Sequence, residues 1–299
     1  MKDLSLPDLA RLQADLSASS CAPACRDYHA VWPLLRTAGL VGGVDADRGP
    51  LLELLAPLLT AGGGKSVLVA GCADSALLSL VSAIAPATSR ITIVDRCATP
   101  LAVCRQVAPP ALTLTTRQSG LLDYAPPEPF DVIVCHSLLP FFSDEDRQKL
   151  LRRFARWLAP GGRLVLAVRL KSREEAHPQN DRAQIDQWVA TRAAEARAAL
   201  AATPQTAELL SPCLAGHLEG YYRVMSMQNL ACSSEEEVIN ELNQAGLSVN
   251  EVLPGGKGLS FMTPDWRSQR EVSGRVFLAS GVPVRAGRPG VARIKAWLA

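Results

Sequence analysis

The chain has 299 residues, 48% of them hydrophobic and 20% charged, enough to bury one large core or two modest ones. Its 31 basic residues against 29 acidic ones leave a formal net charge of +2, too weak a field to argue for nucleic acid or an anionic membrane surface. The expected partner is a small neutral or zwitterionic molecule, with no nucleic acid and no membrane, and the expected assembly is a monomer or homodimer.

The first stretch, MKDLSLPDLARLQADL, interrupts its leucines with Asp, Arg and Gln and so lacks the unbroken apolar segment of a signal peptide. No apolar run approaches the ~20 residues that a membrane helix needs, and a cytoplasmic location is expected. Residues 4–17 repeat Leu at helical spacing, and DYHAVWPLLRTAGL (27–40) offers a second amphipathic segment. Between them, Cys21 and Cys25 in CAPAC have no second Cys or His pair at metal spacing, so no metal is expected. The eight cysteines read as reduced, since Cys72, Cys97 and Cys135 sit at or just after apolar strands, where a thiol acts as a small hydrophobe.

AGGGK at 61–65 marks a boundary. From there SVLVAG (66–71), RITIVD (90–95), ALTLTT (111–116), FDVIVCHS (130–137) and GRLVLAV (162–168) alternate with helical segments. The helix after the first strand is capped by Asp74 or Ser75, and the helix after the fourth opens on a Ser in SDEDRQKLLRRFARWLA and stops at PGG. Near-continuous apolar strands alternating with helices imply a parallel sheet covered on both faces. After Val168 the rhythm breaks, and residues 171–233 read as an inserted helical cap, far longer than an ordinary connection. It resumes with the helix of SSEEEVINELNQAG and two strands, LSVNEVL (247–253) and GRVFLAS (274–280). The expected domains are an N-terminal helical lid over 1–60 and an α/β domain over 61–299 that carries the cap.

Ligands of such sheets bind at the carboxyl ends of the strands. Gly71 ends the first strand and a helix follows directly, so free backbone N–H groups face whatever lies above the sheet. Asp95 ends the second strand, where a carboxylate suits a ribose diol. Nicotinamide dinucleotides and S-adenosylmethionine both meet this requirement. A dinucleotide needs G-x-G-x-x-G for close approach of its pyrophosphate, whereas the turn here reads Gly71-Cys72-Ala73-Asp74-Ser75, with a negative charge at Asp74. That charge favours a sulfonium and an ammonium over two phosphates.

The order VLVAGCADS, ITIVDRCATPL, FDVIVCHSLLPFF, RWLAPGGRLVLAV and a terminal strand pair resembles a class I S-adenosylmethionine-dependent methyltransferase over 66–168 and again over 234–280. The resemblance implies a Rossmann-like three-layer α/β sandwich with a seven-stranded, mostly parallel sheet, an antiparallel last strand and, here, a helical cap. It implies S-adenosylmethionine as cofactor, held by Gly71, Cys72, Ala73, Asp74, Ser75, Asp95, Arg96, Gly120, Leu121 and His136. The family's acid-x-Gly-x-Gly-x-Gly loop keeps one glycine: Val69, Ala73 and Ser75 occupy the other marked positions, and Asp74 is expected to take over the charge that holds the methionine ammonium. Asp123 is a candidate for the adenine amino group.

His136, after the fourth strand, is a candidate general base, and Tyr222 in the cap a second catalytic candidate. Tyr28, His29, Trp32, Ser137, Tyr221 and Arg223 are candidate substrate contacts, although aromatics at helical spacing also suit a core. Methyl transfer from a sulfonium needs alignment, exclusion of water and removal of a proton, so no fixed triad is required. The sequence HSLLPFF after the fourth strand replaces the Asn-Pro-Pro-Tyr pattern that holds planar exocyclic amines, which turns the expectation to O- or N-methylation of a small molecule. The alternatives are transfer of another alkyl group or cyclisation of the methionine chain with release of methylthioadenosine, a non-catalytic binding subunit, and an NAD-dependent oxidoreductase.

Overall fold

The structure, a computed structural model, describes residues 5–170, 181–201, 214–226, 232, 234–259 and 271–281. Seven strands form one sheet: β1 (Ser66–Ala70), β2 (Arg90–Asp95), β3 (Thr113–Gln118), β4 (Phe130–His136), β5 (Leu158–Arg169), β6 (Leu247–Leu259) and β7 (Glu271–Gly281), in the order β3-β2-β1-β4-β5-β7-β6. Strands β1 to β5 pair in parallel, and β7 runs antiparallel between β5 and β6. This is the expected sheet with its reversed last strand, and the order turns back between β1 and β4, which places the cleft above Gly71.

Two strands depart from their expected limits. A turn in which Leu112 N–H donates to Pro109 O at 2.9 Å consumes Ala111 and Leu112, so β3 starts at Thr113. Its register then brings Gln118 level with Asp95. The Pro-Gly-Gly turn does not precede β5 but lies inside it: Phe130 pairs with Leu158 and Val132 with Arg163, and the irregularity between them absorbs the glycines.

Helices cover both faces. On one, α7 (Asp144–Trp157) and α10 (Glu235–Gln244) bury Leu150, Phe154, Val238 and Leu242 against Leu68, Ile133 and Leu166. On the other, α4 (Arg48–Thr60), α5 (Ala76–Ile84) and α6 (Ala98–Val107) bury Leu51, Leu55, Leu59, Leu78 and Leu101 against Val67, Val69 and Ile93. Although α4 precedes residue 61, it therefore belongs to the sheet's own core.

A third core is made without the sheet. Helices α1 (Leu6–Ser20) and α2 (Pro23–Thr37) join α8 (Arg182–Leu200) and α9 (Leu214–Ser226) from the expected cap, around Val31, Leu34, Leu35, Trp188, Ala196, Leu218 and Tyr221. A short α3 (Gly43–Ala46) leads from this group to α4. Residues 171–180, 202–213, 227–231 and 233 of the expected cap lie outside the described residues.

Helices α7 and α10 are also tied by charge. Arg147, 1% exposed, meets Glu241 through Nε at 2.7 Å and Asp144 through Nη2 at 2.9 Å. Burial opposes the Arg147 charge, but Glu241 outweighs it and holds the guanidinium protonated. Removing the acid leaves a buried cation undercompensated. Glu241→Ala is expected to cost about 3 kcal/mol in urea unfolding, with Glu241→Gln intermediate; a loss below ~0.5 kcal/mol would place this pair among surface bridges.

Candidate cofactor and active site

The first strand enters the site at Gly71, whose N–H donates to Val94 O at 2.9 Å. Its φ is +75°, and a Cβ there would stand 2.8 Å from Leu138 Cδ2, so the turn requires glycine on both counts. The next residue closes the turn onto β2: Cys72 N–H donates to Asp95 Oδ2 at 2.9 Å, and Cys97 N–H donates to Oδ1 at 2.7 Å. Burial pushes the Asp95 carboxyl up, and these two N–H groups pull it back. Each oxygen spends one lone pair on the backbone and keeps another for a ligand. The expected pairing of the Gly71 turn with Asp95 is thus present at the carboxyl ends of adjacent strands. Arg96 follows, exposed, and the end of β3 is fixed at this level by Ser119 N–H donating to Asp95 O at 2.9 Å. Gly120 and buried Leu121 continue from there, with the Asp123 carboxylate folded back over Gly120.

Asp74 is buried beneath the lid. Its Oδ1 accepts from Ala76 N–H at 2.8 Å and so caps α5, which the Ser75 side chain does not. Its Oδ2 accepts from Trp32 Nε1–H at 3.0 Å and pairs with Arg36, which also reaches Asp45. The charge expected to face a methionine ammonium is therefore matched by a guanidinium of α2. Gln13 of α1, 1% exposed, adds a further tie by donating to Ala73 O at 2.8 Å and His29 O at 3.3 Å. Arg36 and Gln13 were not singled out in the sequence, since a lone Arg or Gln on an amphipathic helix carries no signal of its partner.

The aromatic candidates stack on one another. Tyr28 lies parallel to Tyr221 at 5.5 Å between centroids and close to parallel with Trp32 at 5.6 Å, and Trp188 extends the stack from Tyr221 at 6.5 Å. Tyr28 is also near enough to Asp74, Asp95 and Cys72 for their charges to add to burial in raising its hydroxyl. Tyr222 packs edge-on against Trp188 at 5.1 Å. Arg223 is exposed and pairs with Glu219 of its own helix at 3.6 Å, away from this stack. His29 is turned toward Cys21 and Cys97, with Nδ1 at 3.3 and 3.5 Å from their sulfurs.

At the mouth of β4, His136 Nε2 donates to Asp47 Oδ2 at 2.8 Å. Asp47, fully buried, also takes Arg169 from the end of β5 at 2.6 Å and Gly256 N–H at 2.8 Å. An aspartate that fixes one nitrogen of an imidazole as donor leaves Nδ1 as the basic one. Ser137 follows with φ +51°, the only non-glycine residue with positive φ among those described. Such strain at a strand's carboxyl end is held in place here by Ser137 N–H donating to Ala167 O at 2.9 Å. Asp47 escaped the sequence reading because GVDADRGP resembles an ordinary loop.

Residues 67–162 match the family described as "Methyltransferase domain". A search of curated protein sequences finds no match. Among solved structures, the chain is similar to the 1,6-didemethyltoxoflavin N1-methyltransferase of Burkholderia thailandensis, solved with its substrate and S-adenosylhomocysteine, with 13% identity, a TM-score of 0.51, and coverage of 94% of this chain and 92% of that one. It is also similar to the mitomycin 7-O-methyltransferase MmcR, with 18% identity and a TM-score of 0.51, over 90% of this chain and 60% of that one. The family match thus covers β1 to the turn within β5, and the seven-stranded sheet with its reversed last strand is the expected Rossmann-like fold. Among the described residues, no helix is long and apolar enough to cross a membrane.

The Asp47 cluster has a pH signature. Burial works to raise the carboxyl, but the bonds from His136 and Arg169 outweigh it and hold it at about 2, below the ordinary 3.8. A depressed folded-state value stabilises the protein above the unfolded value and is lost as pH falls through the folded one. The advantage of the wild type over Asp47→Asn is expected to be about 2 kcal/mol near neutral pH and to shrink from about pH 4 to about pH 2. Urea melts across that window check it; an advantage that stays flat over that fall would contradict the linkage.

Proposed function

We propose that the chain binds S-adenosylmethionine above the carboxyl ends of β1 and β2 and transfers its methyl group to an oxygen or nitrogen of a small molecule. The observation that carries this reading is the joining of the Gly71 turn to Asp95 within the methyltransferase domain. Asp95 uses its remaining lone pairs for the ribose diol. Backbone groups from Gly71 to Ser75 approach the amino-acid tail, and Arg96, Gly120 and Leu121 flank the adenine side. Tyr28 and Trp32, carried by α2 above the loop, close the tail end of this site.

The reaction is an in-line displacement at a carbon already activated by positive sulfur, so this chain's contribution is alignment, dryness and proton removal. His136 supplies the base through Nδ1, with Asp47 holding the ring. Ser137 lies beside it, on the substrate side. The aromatic stack of α2, α8 and α9 excludes water. Small-molecule O- and N-methylation is the chemistry named for the two structural neighbours, and the weak net charge favours the same substrate class.

Calorimetry with S-adenosylhomocysteine is expected to show binding to the wild type and at least ~10-fold weaker binding to Asp95→Ala, the loss of a charge-assisted hydrogen bond. With hydroxylated and aminated aromatic acceptors, mass spectrometry is expected to find S-adenosylhomocysteine and a methylated product. Release of methylthioadenosine instead would assign a different bond to the reaction, and absence of binding at millimolar cofactor would overturn the enzyme reading. His136→Asn is expected to lower kcat by ~10²-fold or more while leaving the affinity for S-adenosylhomocysteine unchanged.

A further inference from the structure

Three thiols and one imidazole converge where the N-terminal helices meet the sheet. Cys21 caps the C-terminus of α1, Cys25 and His29 lie one turn apart on α2, and Cys97 caps the N-terminus of α6, two residues beyond Asp95. Cys21 Sγ lies 3.4 Å from Cys97 Sγ and 3.3 Å from His29 Nδ1; Cys97 Sγ lies 3.7 Å from Cys25 Sγ and 3.5 Å from His29 Nδ1. All four ligand atoms fall within 4.8 Å of one another. A tetrahedral zinc with Zn–S of ~2.3 Å and Zn–N of ~2.0 Å separates its sulfurs by ~3.7 Å and sulfur from nitrogen by ~3.5 Å. These four edges lie within ~0.3 Å of such a tetrahedron's, and they leave no room for a multi-iron cluster, which holds its thiolates farther apart.

We infer that Cys21, Cys25, His29 and Cys97 form a closed, structural zinc site that fastens the α1–α2 pair to the end of β2. Four protein ligands leave no open position for water, which separates this site from a catalytic one. The surroundings are those of bound thiolates. Thr99 Oγ1 lies 2.9 Å from Cys21 Sγ, and Cys97 stands at a helix N-terminus, where free N–H groups favour negative sulfur. A reactive cysteine would need access, yet Cys21, Cys97 and His29 are each less than 9% exposed. Cys25 and His29 share one face of α2, whereas Cys21 comes from the end of α1 and Cys97 from beyond the end of β2, a convergence that no sequence spacing announces. The inference does not depend on the proposed methylation, because it rests on the distances among these four side chains alone.

The test uses the full chain, purified under reducing conditions without chelator. Elemental analysis is expected to find a single zinc per chain, and cobalt substitution an intense visible spectrum with thiolate-to-metal charge transfer. Cys97→Ser is expected to weaken or abolish both signals. Thr99→Val, which keeps the ligands and the shape, is expected to lower zinc affinity by ~10-fold in competition with a chromophoric chelator. A wild-type cobalt complex without charge transfer would overturn the site, as would full reaction of all three thiols with a thiol reagent in the native protein. So would a Cys21–Cys97 or Cys21–Cys25 disulfide in peptide mass spectrometry of protein handled anaerobically. Binding of S-adenosylhomocysteine is measured in parallel, so its failure and the failure of the metal site are read separately.

Discussion

Burying a carboxylate costs several kcal/mol unless a cation and hydrogen bonds come with it, and the position of the lid follows from that constraint at Asp74. Arg36 and Trp32 sit on one face of α2, four residues apart, and both reach the same oxygen of Asp74. The loop after β1 cannot keep this acid under cover without α2, and α2 cannot bury Arg36 without the loop. Gln13 then fixes α1 by a hydrogen bond to the neighbouring carbonyl of Ala73. The two N-terminal helices are thus part of the cofactor loop's own hydrogen bonding, and their outward apolar faces create the third core with α8 and α9.

The same logic recurs along the carboxyl edge of the sheet. Asp95 is satisfied by two backbone N–H groups, so its position depends on the turn at Cys72 and on the start of α6. Asp47 is satisfied by His136, Arg169 and Gly256, which tie together the head of α4, the mouths of β4 and β5, and β6. Asp47 is held by parts from distant points of the chain, and Asp95 by one neighbour and one turn from the preceding strand. Local unfolding of the N-terminal helices would therefore disturb the turn after β1, through Asp74 and the Ala73 carbonyl.

The sheet was legible because parallel strands covered on both faces must be apolar throughout, and only a few residues separate each from its capped helix. The edge strand β3, exposed on one side, carried a weaker pattern, and the Pro109 turn shifted it by two residues. Helix α4 was not recognised as part of the sheet domain, since RGPLLELLAPLLT has leucines on more than one face and a proline within it. Gly71 and Asp95 were legible because they sit at strand ends, which the topology maps onto one edge. Asp47, Arg36 and Cys97 acquire their roles from partners 89, 38 and 76 residues away, and pattern within a window carries no such information.

The aromatic residues show how one local pattern serves packing as well as recognition. Tyr28, Trp32 and Tyr221 are candidate substrate contacts whose helical spacing also suits a core, and their rings stack on one another. An aromatic side chain buries ~150–250 Å² and has few rotamers, so a continuous stack from Trp32 to Trp188 makes a stiff roof at little entropic cost. Stiffness is what a displacement at a methyl carbon requires, because misplacing the acceptor by about 1 Å costs ~10²-fold in rate. In the proposed reading, selection of the acceptor then falls less to these ring faces than to the residues at the strand mouths. Chief among these are the strained Ser137 and the imidazole that Asp47 holds in place.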